Sequence, residues 1–152
     1  MKTAYLDCFS GISGDMLVGA LLDAGLELRA LQEVLDGLRL TGVSVEARSE
    51  GRNGIHGTRF IVTVDEAAQP ERHFEDIRHI LEQGRLPDRV REQSLAVFQA
   101  LAEAEGRIHN RPVDEVHFHE VGAADSIVDI VGAVFGIQAL GIERLVCSTL
   151  PL

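Results

Sequence analysis

Two stretches of this 152-residue chain gather the side chains that do chemistry. One is Asp7-Cys8-Phe9-Ser10-Gly11-Ile12-Ser13-Gly14-Asp15, and the other runs from Val116 to Asp129. In the second, His117 and His119 are two residues apart, so an extended backbone puts both on one side. Imidazole suits Zn, Fe, Ni or Cu. Asp125 and Asp129 are four apart, one helical turn, and share a face. Carboxylates on a mainly apolar helix are costly unless something satisfies them. Two imidazoles and the carboxylates of Glu120, Asp125 and Asp129, all within residues 117–129, therefore read as a set of metal ligands.

The first stretch has a different character. A short strand delivers Asp7 to its end, and a loop of small residues leads into a helix at Asp15. Two carboxylates with the hydroxyls of Ser10 and Ser13 between them suit a hard cation such as Mg²⁺ or Mn²⁺. The backbone N–H groups of Ser10, Gly11, Ser13 and Gly14, at a helix N-terminus, suit a phosphate. The loop has no lysine, so it is not a Walker loop. The structural alternative is that Asp15 caps the helix, Ser13 assists, and the glycines only turn the chain. His73 and His79 carry weaker signals and read as surface residues, whereas His56 in the hairpin and His109 in a loop either reach a site or are exposed to solvent. Asp7 beside Cys8 raises the thiol pKa rather than activating it, and Cys147 reads as a buried strand residue.

The elements that must position these groups follow from hydrophobic period. Residues 2–7 read as a strand, 15–22 as a helix stopped at Gly25, and 27–38 as a second helix. Residues 43–49 and 58–65 alternate as half-buried strands. The glycine-rich stretch 51–57 reads as their hairpin connection. Helices are expected over 73–83, from Pro87 to about residue 105, and over 124–140. Residues 116–120 are expected to be extended, and 144–149 to form a last strand. The order is β-αα-ββ-αα-α-β. It predicts an α/β fold, a split βαβ (ferredoxin-like) sheet with helices mainly on one face. Residues 1–152 are expected to be a single domain.

Composition bounds the partners. The formal charge is −10, with 45% hydrophobic and 25% charged residues. That acidity disfavours nucleic acid and an anionic membrane surface and favours cations. Two cysteines are too few for a disulfide framework and fit a reducing compartment. With no signal peptide and no apolar run long enough to span a membrane, the chain is expected to be cytoplasmic. Assembly with further copies of itself is compatible with this reading.

Leu6-Asp7-Cys8-Phe9-Ser10-Gly11-Ile12-Ser13-Gly14-Asp15-Met16 and the run from His117 through Gly132 resemble the two signature segments of the LarC-type nickel-insertion family. These are the pyridinium-3,5-bisthiocarboxylic acid mononucleotide nickel chelatases. The likeness extends through Gly54-Ile55-His56-Gly57 and Arg72-His73-Phe74-Glu75-Asp76-Ile77, and covers nearly the whole chain. The resemblance implies a metal-inserting lyase that places Ni²⁺ in a dithiocarboxylated pyridinium mononucleotide, forming the nickel-pincer cofactor of lactate racemase. It implies CTP and a divalent cation, Mn²⁺ or Mg²⁺, as cofactors. Family proteins run further, and CTP binding is associated with their C-terminal region, so this chain is expected to be an N-terminal part whose partners include that region and lactate racemase.

On that expectation His117 and His119 deliver Ni²⁺, with Glu120, Asp125 or Asp129 completing or orienting the set. Asp7, Asp15 and Glu120 are the catalytic candidates. Ser10, Gly11, Ser13 and Gly14 face the activating cation or the phosphate. The rival is a non-catalytic nickel-storage or scaffold domain. A third reading is a metal-dependent hydrolase in which the same ligands activate water.

Overall fold

The computed structural model describes residues 1–65, 67, 69–70, 72–113, 116, 118 and 123–150, with Arg52 described by its backbone alone. The elements are β1 (Thr3–Leu6), α1 (Gly14–Asp23), α2 (Leu28–Asp36), β2 (Val43–Arg52), β3 (Ile55–Val64), α3 (Phe74–Gln83), α4 (Asp88–His109), α5 (Ala124–Ala139) and β4 (Arg144–Cys147). The order and the α/β class match the periodicity of the sequence.

The core is built around α5, on which Ile127, Val128 and Val131 are almost fully buried. Its small residues let neighbours come close. A Cβ on Gly136 would lie 2.9 Å from Leu21 Cδ1 and 3.0 Å from Leu26 Cδ2, and one on Gly132 would meet Val18 and Leu31. Phe98 on α4 and Phe74 on α3 are buried too. Both receive Phe118 edge-on, with ring centroids 6.3 Å from Phe74 and 6.4 Å from Phe98. That ring, with buried Val116, ties the approach to α5 onto the core.

The hairpin differs from expectation. Residues 51–57 are not a loop. The strands run to the turn, paired from Val43↔Val64 through Arg52↔Ile55. Asn53 (φ 51°) and Gly54 (φ 80°) alone make the reversal. Two successive positive φ values are the signature of a type I′ turn, whose twist matches the flanking strands. α4 also runs further than expected, to His109, where Asn110 (φ 51°, ψ 47°) ends it in the left-handed region.

The predicted single split βαβ sheet is replaced by two ladders among the described residues. β2 and β3 pair antiparallel, and β1 and β4 pair parallel from Thr3↔Arg144 to Leu6↔Cys147. The reason lies on the outer edge of β3. An antiparallel residue points its N–H and C=O at the same neighbour. Thr58 N–H donates to Asp23 Oδ2 at 2.9 Å, and the Thr58 hydroxyl donates to Asp23 Oδ1 at 2.6 Å. A Cβ on Gly19 would stand 2.4 Å from the Thr58 carbonyl oxygen. Helix α1 thus occupies the edge where a third strand would pair. β1, which leads into the loop before α1, takes as its partner the strand that follows α5.

Candidate metal centre

The start of α1 and the first turns of α5 meet. Gly14 opens α1, and a Cβ there would lie 2.5 Å from Asp129 Cβ and 2.6 Å from Asp129 Oδ2. Only glycine permits that approach. Ser13 is the N-cap residue, extended at φ −119° and ψ 166°, yet its side chain makes no capping bond to the helix. Its hydroxyl donates instead to the Asp15 carboxylate. The acceptor for the Asp15 N–H comes from the other helix, the Asp129 carboxylate. A carboxylate at a helix N-terminus satisfies an orphan donor and meets the positive end of the dipole.

Asp129 is half-buried, and its Oδ1 is a buried acceptor with no hydrogen-bond partner among the described residues. Its pKa is pushed up to about 6, first by burial and then by the charges of Asp15 and Asp125, with the Asp15 N–H pulling the other way. Asp125 is exposed in the first turn of α5. The sequence placed Asp15 in one stretch and Asp125 and Asp129 in the other, and the fold brings their charges into one field. Three acids and one oxygen with no partner among the described residues favour a cation, against the opposing positive end of α1. Among the described residues, no three His, Cys, Asp or Glu groups close around a common point. His117, His119 and Glu120 lie outside the described residues, as do Val121 and Gly122 between them and α5.

The loop before α1 is turned back on itself: Gly11 N–H donates to the Cys8 carbonyl at 3.0 Å, with Gly11 at φ 89°. That amide is used internally and is not offered to a phosphate. Ser10 and Ser13 are exposed. Asp7 is exposed at the other end of the loop, beside a cleft of about 240 Å³ that Cys8, Gly11, Ile12, Met16 and Leu17 also line. Its charge acts on Cys8.

Cys147 is not the buried strand residue its sequence context suggested. It is exposed, because β4 is an edge strand of a two-stranded ladder, whereas Cys8 is buried. The two sulfurs lie 3.6 Å apart. Cys8 N–H donates to Ser148 Oγ at 2.8 Å. Burial raises the Cys8 thiol pKa, and the hydrogen bond with Cys147, the Cys147 charge and the Asp7 carboxylate raise it further. Nothing in sequence spacing joins residues 8 and 147; only the β1–β4 register does. His109 Nε2 is 3.3 Å from Glu105 on α4. His73 precedes α3, with its N–H donating to Asp76 Oδ2 at 2.7 Å. His56 lies exposed against Gly51 in the hairpin.

Among the described residues no helix is long and apolar enough to cross a membrane. The family described as nickel insertion protein matches residues 4–152. A protein of Syntrophobacter fumaroxidans named for nickel insertion is 53% identical over 152 residues, covering all of this chain and 39% of the relative. A similarly named protein of Citrifermentans bemidjiense is 50% identical over 151 residues, again 39% of its own length. The pyridinium-3,5-bisthiocarboxylic acid mononucleotide nickel insertion protein of Desulfitobacterium hafniense is 50% identical over 148 residues, 97% of this chain and 37% of the relative. The chain thus spans less than two fifths of these curated relatives. No solved structure matches it.

Proposed function

The chain belongs to the nickel insertion protein family, and from that premise we propose that it is the metal-handling part of an enzyme that inserts Ni²⁺ into pyridinium-3,5-bisthiocarboxylic acid mononucleotide. The reading takes its substrate from the name of the Desulfitobacterium hafniense relative. Ni²⁺ is cargo here: it must be held firmly enough to be captured and loosely enough to be passed on. Mixed imidazole and carboxylate donors suit that better than a closed thiolate site. His117 and His119 supply the imidazoles. Asp129, with Asp15, Asp125 and Glu120, supplies carboxylates that bind, orient or attract the ion.

The observation that carries the reading is the Asp129 carboxylate. Among the described residues its Oδ1 lacks a partner, its pKa stands at about 6, and the charges of Asp15 and Asp125 act on it. A carboxylate near that pKa is a good donor to a cation when ionised, and it can take up a proton as the ion leaves. Asp7, with Ser10 and Ser13 in the loop, holds the activating Mn²⁺ or Mg²⁺, and the remaining loop amides face the substrate phosphate. CTP belongs to the region of the longer relatives that this chain does not span. On this reading, which the family resemblance supports, the reaction is that of a lyase and its product serves lactate racemase maturation in the cytoplasm.

Calorimetric titration of Ni²⁺ into the wild-type chain and into the His117→Ala/His119→Ala variant tests the ligand assignment. Affinity is expected to fall at least about tenfold in the variant, as loss of metal-site residues does; equal affinity in the two would remove both histidines from the site. Product formation with Ni²⁺, CTP and the mononucleotide, using a full-length relative carrying the same changes, separates insertion from storage. A relative that keeps insertion activity without both histidines would overturn the catalytic reading.

A further inference from the structure

The two cysteines form a cluster that the nickel site does not use. Their sulfurs stand 3.6 Å apart although they are 139 residues apart in sequence. Backbone pairing brings them together: Leu6↔Cys147 is the last pair of the β1–β4 ladder, Ser148 N–H donates to the Leu6 carbonyl at 2.9 Å, and Cys8 N–H donates to Ser148 Oγ at 2.8 Å. Cys8 is buried on one side and Cys147 is open to solvent on the other. We propose that Cys8 and Cys147 form a separate soft-donor site, a dithiolate that chelates one thiophilic divalent cation of tetrahedral preference, of the Zn²⁺ class.

The separation decides between occupants. With metal–sulfur bonds of about 2.3 Å, sulfurs 3.6 Å apart subtend about 103° at the ion, close to the tetrahedral angle. A square-planar ion at the same bond length needs the sulfurs about 0.35 Å closer. A disulfide, at about 2.05 Å, needs them about 1.6 Å closer. Of the three, the sulfur–sulfur separation best matches a tetrahedral ion. Thiolates select thiophilic ions over the hard cations that carboxylates and hydroxyls take, so this site and the acid cluster of α1 and α5 differ in what they bind. The exposed side at Cys147 leaves the remaining coordination positions to water or a small ligand. An ion bound there would clip the ends of β1 and β4, a two-stranded ladder that has little independent stability.

Co²⁺ is the probe, because tetrahedral thiolate coordination gives it a near-ultraviolet charge-transfer band and visible ligand-field bands. The reduced chain, with both thiols first counted by thiol titration, is expected to bind one equivalent with both features. Zn²⁺ is expected to abolish them by displacement. Cys147→Ser removes an exposed sulfur and leaves the core intact. It is expected to abolish the charge-transfer band and to weaken Zn²⁺ binding at least about tenfold. Asp129→Asn is expected to leave the band unchanged, so failure here and failure of the nickel-site assignment read out separately. No charge-transfer band in the reduced protein, a band that survives in Cys147→Ser, or a mass 2 Da low from disulfide closure under the same reducing conditions would each overturn the proposal.

Discussion

Replacing Asp129 by Asn isolates one charge while keeping the shape and the oxygen that accepts from the Asp15 N–H. The Asp129 pKa is raised from the ordinary carboxylate value to about 6. A carboxylate whose pKa rises on folding penalises the fold when it is ionised. The penalty is absent below about pH 4, where both states are protonated; it grows through about pH 6, then stays constant. Two pKa units correspond to about 3 kcal/mol for a fully buried group. Asp129 is only half-buried, and the positive end of α1 also faces it, so solvent screening and the dipole reduce this to about 1 kcal/mol. The Asn variant is therefore expected to be about 1 kcal/mol more stable than wild type at pH 8, a rise of roughly 2–4 °C in Tm for a chain of this size. The two should coincide near pH 4, and the Asn variant should lose affinity for Ni²⁺. Thermal melts by circular dichroism from pH 4 to 8 check it. An Asn variant less stable than wild type at pH 8 would refute the reasoning, because the charge would then be serving α1 as a net stabilising cap.

Two further predictions follow the same geometry. Gly14→Ala drives a Cβ to 2.5 Å from Asp129 Cβ, so it should destabilise the chain by about 1–3 kcal/mol, as overpacking does, and should weaken Ni²⁺ binding by displacing Asp129; melts and titration on the same preparation check both. Asp23→Asn should lower Tm at pH 7, because Thr58 donors hold the Asp23 pKa below its usual range. The ionised form is the stabilising one, so the difference from wild type should persist above about pH 4 and shrink as the pH falls through the depressed folded value.

Much of the element order was legible because helices and strands here carry clear periods of 3.6 and 2. The hairpin connection was misread for a specific reason. Gly51, Gly54 and Gly57 looked like a loop, but Asn53-Gly54 is sufficient for the reversal and the other two glycines sit within strands. Sheet assembly was not legible. It depends on Asp23 and Gly19 of α1 meeting Thr58 of β3, a contact between residues 35 apart that no local pattern encodes. Both chemical stretches read as sites for cations, but the means by which they meet was not legible. Gly14 read as a turn residue, and its work is to admit Asp129. The thiol pair was invisible because it exists only through the parallel register of β1 and β4.

The strongest competing account of Asp129 is that it simply caps α1, and the local chemistry argues against that as its whole purpose. Ser13 already stands at the N-cap position with the extended backbone that a capping hydroxyl needs. A Ser or Asn there satisfies the helix with a local, uncharged group. Here the Ser13 hydroxyl turns to Asp15 instead, and the cap comes from α5 as an acid that burial and two like charges push towards protonation. For stability alone, Asn at position 129 would accept the same N–H without the charge. The arrangement keeps an ionisable group and, among the described residues, leaves one of its oxygens without a partner. Each of those features costs stability in an empty site, and a bound cation removes the cost of all of them together.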